Sequence, residues 1–283
     1  MPVEAFFLPV TQGQRFCLFH PAKTSTLRGL VLYVHPFAEE MNKSRHMAAV
    51  QSRALAHAGY GVLQVDLMGC GDSCGDFGDA RWKIWVDDVV QAAIWLRRRG
   101  CSHGASPESA PLWLWGLRAG CLLGVQAAPR IDEPCNFLFW QPPMSGSTLL
   151  QQFLRLKLAS DLLGGRQSGA MGGLRKALES GAAVEIAGYT LAPDLALGLR
   201  GARLAPPVAS SVPRQVQWFE VSDLEPPCLH PLATDALMAW QQSGYRLERH
   251  AIAGPAFWQT SEICDIPGLI AATTAAFTPR ADT

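Results

Sequence analysis

The segment Gly116-Leu117-Arg118-Ala119-Gly120 sets small residues on either side of an arginine, between an apolar run at 111–115 and a helical pattern from about 119 to 128. A strand that turns sharply into a helix crowds its own backbone and thrusts the central side chain outward, so small residues are needed at both flanks, a demand Gly116 and Gly120 meet. Serine at the centre would be a nucleophile. Arginine stays protonated and has five N–H donors but no lone pair, so Arg118 can neither attack nor serve as a general base. Its planar fork, beside the amino end of a helix, suits a carboxylate or phosphate instead. Two roles stay open for Arg118. It recognises an anionic group on a ligand or peptide, or it forms an internal ion pair with Glu39, Glu40, Asp66 or Asp223, since a buried arginine nearly always has a carboxylate partner.

Ligands of doubly wound sheets sit at the carboxyl ends of the strands. On that rule His35 of His35-Pro36-Phe37, Asp66, the 116–120 turn, Gln141, Asp223 and the 254–258 loop with Phe257 and Trp258 gather around one cavity, with Trp140 as a further lining residue. Cys121 lies one turn into the helix after Arg118, displaced from the turn and with no base beside it, and reads as a buried helix cysteine. Cys70 and Cys74 flank Asp72 and Ser73 on a glycine-rich loop, and His230 and His250 are further titratable groups. No second ligand or acid partner pairs with any of them by spacing, so each reads as structural.

The elements that must position these groups follow from hydrophobic period. Residues 3–9 and 14–19 alternate as a hairpin, while 29–34 and 60–65 are continuous apolar runs suited to strands covered on both faces. A helix is expected over about 45–58 and another over 82–99, ending at Gly100 behind Arg97, Arg98 and Arg99. Buried strands at 111–115, 137–140 and 216–221 alternate with further helical patterns near 231–243 and 266–277, with a strand near 245–252 between these two. Strand–turn–helix repeated in this way gives an α/β fold, a doubly wound and mainly parallel sheet with helices on both faces. From about 145 to 205 the pattern is helical, broken at Gly164-Gly165 and Gly172-Gly173, and reads as a lid inserted over the strand ends of a single domain spanning 1–283.

Composition narrows the function. The 283 residues are 48% hydrophobic and 17% charged, enough to bury a large core. Lysine plus arginine equal aspartate plus glutamate at 24 each, so no net field recommends nucleic acid or an anionic membrane as a partner. Neither a basic and apolar leader nor a run of the roughly 20 apolar residues needed for a membrane span is visible, which points to the cytoplasm. The eight cysteines show no CxxC pair or neighbouring histidine at zinc-finger spacing, and free thiols in a reducing compartment are expected, with no metal and no cofactor.

The turn at Arg118, the His35-Pro36-Phe37 turn and the loop Asp66-Leu67-Met68-Gly69-Cys70-Gly71-Asp72-Ser73 together resemble the α/β-hydrolase superfamily over almost the whole chain. More narrowly, His35 to Arg45, Leu114 to Arg118, Trp140-Gln141-Pro142, Glu185 to Tyr189 and Phe257-Trp258 resemble the exosortase A system-associated hydrolases, in particular the type 2 group. The resemblance implies that the amides of Phe37 and Ala119 are oxyanion-hole donors and that Asp223 stands where the acid of a triad commonly falls. It also implies a setting in exopolysaccharide or protein sorting, with exosortase-system components as partners. The serine of that pattern is Arg118 here, and the terminal loop that usually supplies histidine reads Gly254-Pro255-Ala256-Phe257-Trp258. A Ser-His-Asp triad cannot be assembled from these positions. Glu39 and Glu40, next to the oxyanion turn, would oppose developing negative charge unless neutralised, and pairing with Arg118 or Arg45 would do so. Two functions are therefore carried forward, with a scaffold whose lid region mediates assembly with other components as a third reading. One is binding of an anionic ligand or partner without turnover, and the other is an esterase or thioesterase-like hydrolase with a rearranged site built on Asp223, a glutamate with water, or Cys121.

Overall fold

The computed structural model describes residues 2–101, 110–163, 171–207, 214–231 and 234–277. The chain opens with the antiparallel pair β1 (Glu4–Pro9) and β2 (Gln14–His20). Then come β3 (Gly29–Val34), helix α1 (Glu39–His57), β4 (Tyr60–Val65), helix α2 (Trp82–Cys101), β5 (Leu112–Leu117), helix α3 (Ala119–Ala127) and β6 (Cys135–Trp140). After a largely helical stretch the sheet resumes with β9 (Arg214–Ser222), helix α7 (Thr234–Gln242), β10 (Tyr245–Ala253) and helix α8 (Pro267–Ala276). The eight strands lie in the order β1-β2-β4-β3-β5-β6-β9-β10, parallel from β4 onward. This is the doubly wound, mainly parallel sheet expected from the sequence.

Alternation along each strand sends side chains to two separate cores. Leu30 and Leu32 of β3 and Leu112 and Leu114 of β5 pack beneath α2 and α3, whereas Val31 and Tyr33, and Trp113 and Trp115, pack beneath α1 and α8. Both faces are covered, which is why these strands read as continuous apolar runs.

Between β6 and β9 lie α4 (Gly146–Leu163), α5 (Met171–Glu179), the hairpin β7 (Val184–Ile186) and β8 (Tyr189–Leu191), and α6 (Pro193–Gly201). Its two stems are pinned together, Gly146 N to Ala202 O at 3.0 Å and Leu204 N to Met144 O at 3.1 Å. Phe153 of α4 meets Phe37 edge to face at 5.1 Å, and Tyr189 of β8 meets Phe77 at 5.0 Å.

Three local expectations are corrected. Helix α1 starts at Glu39 rather than near 45, because its first turns bury Glu40 and Ser44 and show no apolar period to the eye. Gly172 and Gly173 do not break a helix but lie in the first turn of α5, while Gly164-Gly165 falls outside the described residues. The strand read at 111–115 continues to Leu117, carrying Gly116 inside the sheet. Among the described residues no helix is long and apolar enough to cross a membrane.

Candidate functional site

Leu117, the last residue of β5, is in register with Trp140 of β6, and the Arg118 amide continues the ladder with a 3.0 Å bond to Trp140 O. The chain then turns at once into α3, and Arg118 takes φ 52° and ψ −115°. A non-glycine residue held there carries strain of about 1–3 kcal/mol. The flanking glycines are compulsory: a Cβ on Gly116 would run into the amide of Cys121, and one on Gly120 would run into the carbonyl oxygen of Val34. Ala38, at φ 50° and ψ −125°, repeats this conformation at the start of α1, next to β3. Two strained turns at the ends of adjacent parallel strands thus deliver Arg118 and Glu40 to one place.

Glu40 Oε1 accepts from Arg118 Nε at 3.2 Å and lies 3.2 Å from its Nη2. Nη2 also donates to Gln152 Oε1 of α4 at 2.5 Å, and the Trp258 ring centre stands 5.7 Å from the guanidinium carbon. Each partner of the ion pair keeps only 10% of its side-chain surface exposed. Of the four carboxylates proposed for Arg118, Glu40 is the one that pairs. Its second oxygen, Oε2, is buried with no hydrogen-bond partner, as is Oε2 of Glu39. Burial raises the Glu40 carboxyl to about 7; Arg118 pulls it back only in part, and the charge on Glu39 pushes the same way as burial. Burial raises Glu39 as well. Between α1 and α4 a cavity of about 230 Å³ opens beside Glu39 and Glu40, walled by Phe37, Leu149, Phe153 and Leu156 and lined also by Lys43 and Gln152; Arg118 lies behind Glu40 and Gln152 and does not itself line it. A larger hollow of about 450 Å³, between α4, α5 and α6, shares no lining residue with it and holds neither strained turn nor buried charge pair. The elbow cavity is the better candidate, because unusual ionisation and stored strain gather at functional sites.

The remaining sequence candidates divide. The amides of Phe37 and Ala119 donate to no other described residue; Phe37 lines the cavity, whereas Ala119 is fully buried and does not. His35 is buried, with Nδ1–H donating to Pro36 O at 2.7 Å and Nε2 accepting from the Leu67 amide at 3.2 Å. Burial lowers its pKa, and with both nitrogens engaged it is a neutral structural strut rather than a ligand contact. Asp66 pairs with Arg45 at 3.0 Å and caps the Asp72 amide at 3.2 Å; with His35 it borders a separate crevice and is not part of the elbow cavity. Gln141 spends its side-chain oxygen on the Val221 amide at 2.8 Å, strapping β6 to β9. Asp223 is exposed just past β9 and pairs with no histidine among the described residues. Trp140 and Phe257 are core under α1 and α8, whereas Trp258 supports Arg118 from beneath.

Cys121 is fully buried, its thiol donates to Gly116 O at 3.2 Å, and burial raises its pKa far above neutrality, which removes it as a nucleophile. Cys70 is buried too, and Cys74 takes an Arg15 Nη1 bond at 3.1 Å. His230 Nδ1 donates to Glu220 Oε2 at 2.7 Å, and His250 stacks on Phe219 and bonds Gln217. Among the described residues no group of three His, Cys, Asp or Glu side chains is placed to hold a metal ion. Gln152 and Lys43 were not foreseen. The pair Leu149 and Phe153, four apart on α4, was the one available signal that this face of the helix is buried over the strand ends.

No family model matches the chain, and no curated protein does. Solved structures do. Est1E from Butyrivibrio proteoclasticus with bound ferulic acid superposes at TM-score 0.60 and 15% identity, covering 96% of each chain. A soluble variant of monoglyceride lipase from Saccharomyces cerevisiae in complex with a substrate analog gives 0.59 and 13%, covering 97% of this chain and 94% of that one. XC6422 from Xanthomonas campestris, described as an a/b serine hydrolase without lid, gives 0.53 and 14%, covering 97% and 91%. The chain has the α/β-hydrolase fold.

Proposed function

We propose that this protein uses the hydrolase elbow to bind rather than to cut, holding the anionic group of a small ligand or peptide at Arg118. The observation that carries the proposal is the elbow itself. Its strained φ is kept, but it presents a guanidinium, shielded from water over Trp258, whose partners Glu40 and Gln152 line a cavity with Phe37. Cation and helix amino end both favour an anion there. The helices and hairpin between β6 and β9 act as the lid over that site. The motifs shared with the exosortase A system-associated hydrolases favour a role in exopolysaccharide export or protein sorting, with components of that system as partners.

The test is a titration with carboxylate and phosphate ligands of graded size, followed by calorimetry. Arg118→Ala should stay folded and weaken binding by about 1.5–3 kcal/mol, the scale of a hydrogen bond to a charged group. Equal binding by wild type and Arg118→Ala across the panel would overturn the proposal. A second activity has one observation in its favour: Glu40, held near 7 with one oxygen unpartnered, could activate water against an ester. Turnover abolished by Glu40→Gln would favour that hydrolase.

A further inference from the structure

The elbow cavity already contains a carboxylate where a ligand's carboxylate has to go. Glu40 Oε1 lies 3.2 Å from both Nε and Nη2 of Arg118, and Gln152 takes Nη2 as well. An incoming anion therefore competes with Glu40 for the same guanidinium edge. Were Glu40 to stay ionised, two negative charges would share one cation in a place nine-tenths shielded from water, and buried charge without compensation is strongly disfavoured.

Nothing else around the pair relieves that excess. Glu39, on the same helix, adds negative charge, and its own Oε2 has no partner. Lys43 is the other cation that acts on Glu40, and its ammonium is turned to the carbonyl of Gln259 at 3.2 Å. Gln152, from α4, is uncharged, and so is Trp258. Of the two carboxylates with raised pKa, Glu40 is the one bonded to the guanidinium, and its Oε2 is free to carry a hydrogen.

Resting on the anion-binding proposal, we infer that the cavity takes a small monocarboxylate with a short apolar tail together with one proton, which Glu40 picks up from solvent as the ligand displaces it from Arg118. The proton goes onto a Glu40 carboxyl oxygen, the ligand's two oxygens take over the guanidinium edge, and the net charge of the pair is unchanged. The tail lies against Phe37, Leu149 and Phe153. A dry void of about 150 Å³ holds benzene, so about 230 Å³ accommodates an acid the size of benzoate or hexanoate. A phosphate dianion would demand more than the one proton that Glu40 can take.

The sign of the pH dependence follows. Burial holds Glu40 at about 7 in the free protein, so below that pH it is already neutral and binding takes up little. Above it each binding event must bring a proton, and affinity falls by up to about tenfold per pH unit.

The experiment is calorimetric titration of the intact protein with hexanoate and benzoate at several pH values on both sides of 7, each in two buffers of different ionisation heat. Uptake approaching one proton per ligand above neutrality, with Kd rising close to tenfold per pH unit, is the expected result. Glu40→Gln should bind more tightly than wild type in the alkaline range and with a flat pH profile. Binding that Arg118→Ala abolishes, but that shows neither proton uptake nor pH dependence in wild type, would overturn the proton coupling and leave the anion site standing. A Glu40→Gln protein that keeps the wild-type slope would do the same. Absence of binding in wild type and Glu40→Gln alike, or equal binding in Arg118→Ala, would overturn the anion site itself. The buffer comparison on wild type decides the matter even if Glu40→Gln does not fold.

Discussion

Arg118 and Glu40 come from the two strained turns at the head of α3 and α1, and meet with Glu40 Oε1 3.2 Å from the Nη2 of Arg118. Each side chain is nine-tenths shielded, yet the pair is incompletely satisfied, since Glu40 Oε2 has no partner. A buried ion pair seldom adds much net stability, because desolvation offsets the Coulomb gain. Its presence at the projecting position of the elbow is better understood as a poised site than as a clamp for the fold.

Stability should report the ionisation of Glu40. Its folded pKa is raised, from 4.5 to about 7, so the native state binds more protons than the unfolded chain between those values. Its contribution is fully present below about 4.5 and is lost as pH rises through about 7, a loss on the order of 3 kcal/mol in wild type. Burial lowers His35, which works in the opposite sense toward acid, so the informative quantity is the difference between wild type and Glu40→Gln. Urea midpoints across this range should converge on the acid side and diverge on the alkaline side, with wild type the weaker. Parallel profiles would show that Glu40 does not titrate there.

Removing the cation should strand the carboxylate. In Arg118→Ala the Glu40 pKa moves further up, because the Arg118 charge that lowers it is gone. Near neutral pH Glu40 then protonates, which limits the loss to about 1–3 kcal/mol, short of the 3–5 expected for an uncompensated buried charge. Denaturation at neutral and at alkaline pH should show the penalty growing with pH.

The elbow glycines should tolerate nothing larger. Gly116→Ala places a methyl against the Cys121 amide and Gly120→Ala against the Val34 carbonyl, both backbone atoms that cannot step aside. Each should cost upward of about 3 kcal/mol or prevent folding, as overpacking of fixed backbone does. The exposed control, Asp223→Ala, should change stability by no more than about 0.5 kcal/mol. Circular dichroism melts of the three variants would settle the contrast.

The fold was legible because both faces of the central sheet are covered, so 29–34, 60–65 and 137–140 stand out as apolar runs and Gly116 and Gly120 punctuate the one sharp turn. The identity of Arg118's partner was open among four acids, and only the backbone decides it. Ala38 turns the start of α1 so that Glu40, and not Glu39, reaches the guanidinium. His35, Asp66 and Gln141 do sit at strand ends, but their polar atoms are consumed by Leu67, Arg45 and Val221, partners no spacing rule identifies. Gln152 escaped because an exposed-looking glutamine on a helix between glycine-rich stretches carries no mark of its role until α4 is laid over the elbow.

Placing serine at the elbow should not create an esterase. Arg118→Ser would put a hydroxyl at the projecting position with the Phe37 and Ala119 amides free beside it, but a serine hydroxyl needs a neighbouring base to lose its proton. The loop 254–258 has no imidazole, His35 is neutral with both nitrogens bonded, and His230 is tied to Glu220. Removing Arg118 also leaves Glu40 as a protonated acid near neutral pH, a poor base. Wild type, Arg118→Ser and Asp223→Ala should all give flat traces with short-chain p-nitrophenyl esters, whereas Arg118→Ser combined with Trp258→His, which returns an imidazole beneath the elbow, is the variant expected to show the first measurable turnover. Hydrolysis by wild type that is lost in Glu40→Gln would reverse this expectation and make the native site a carboxylate-driven hydrolase.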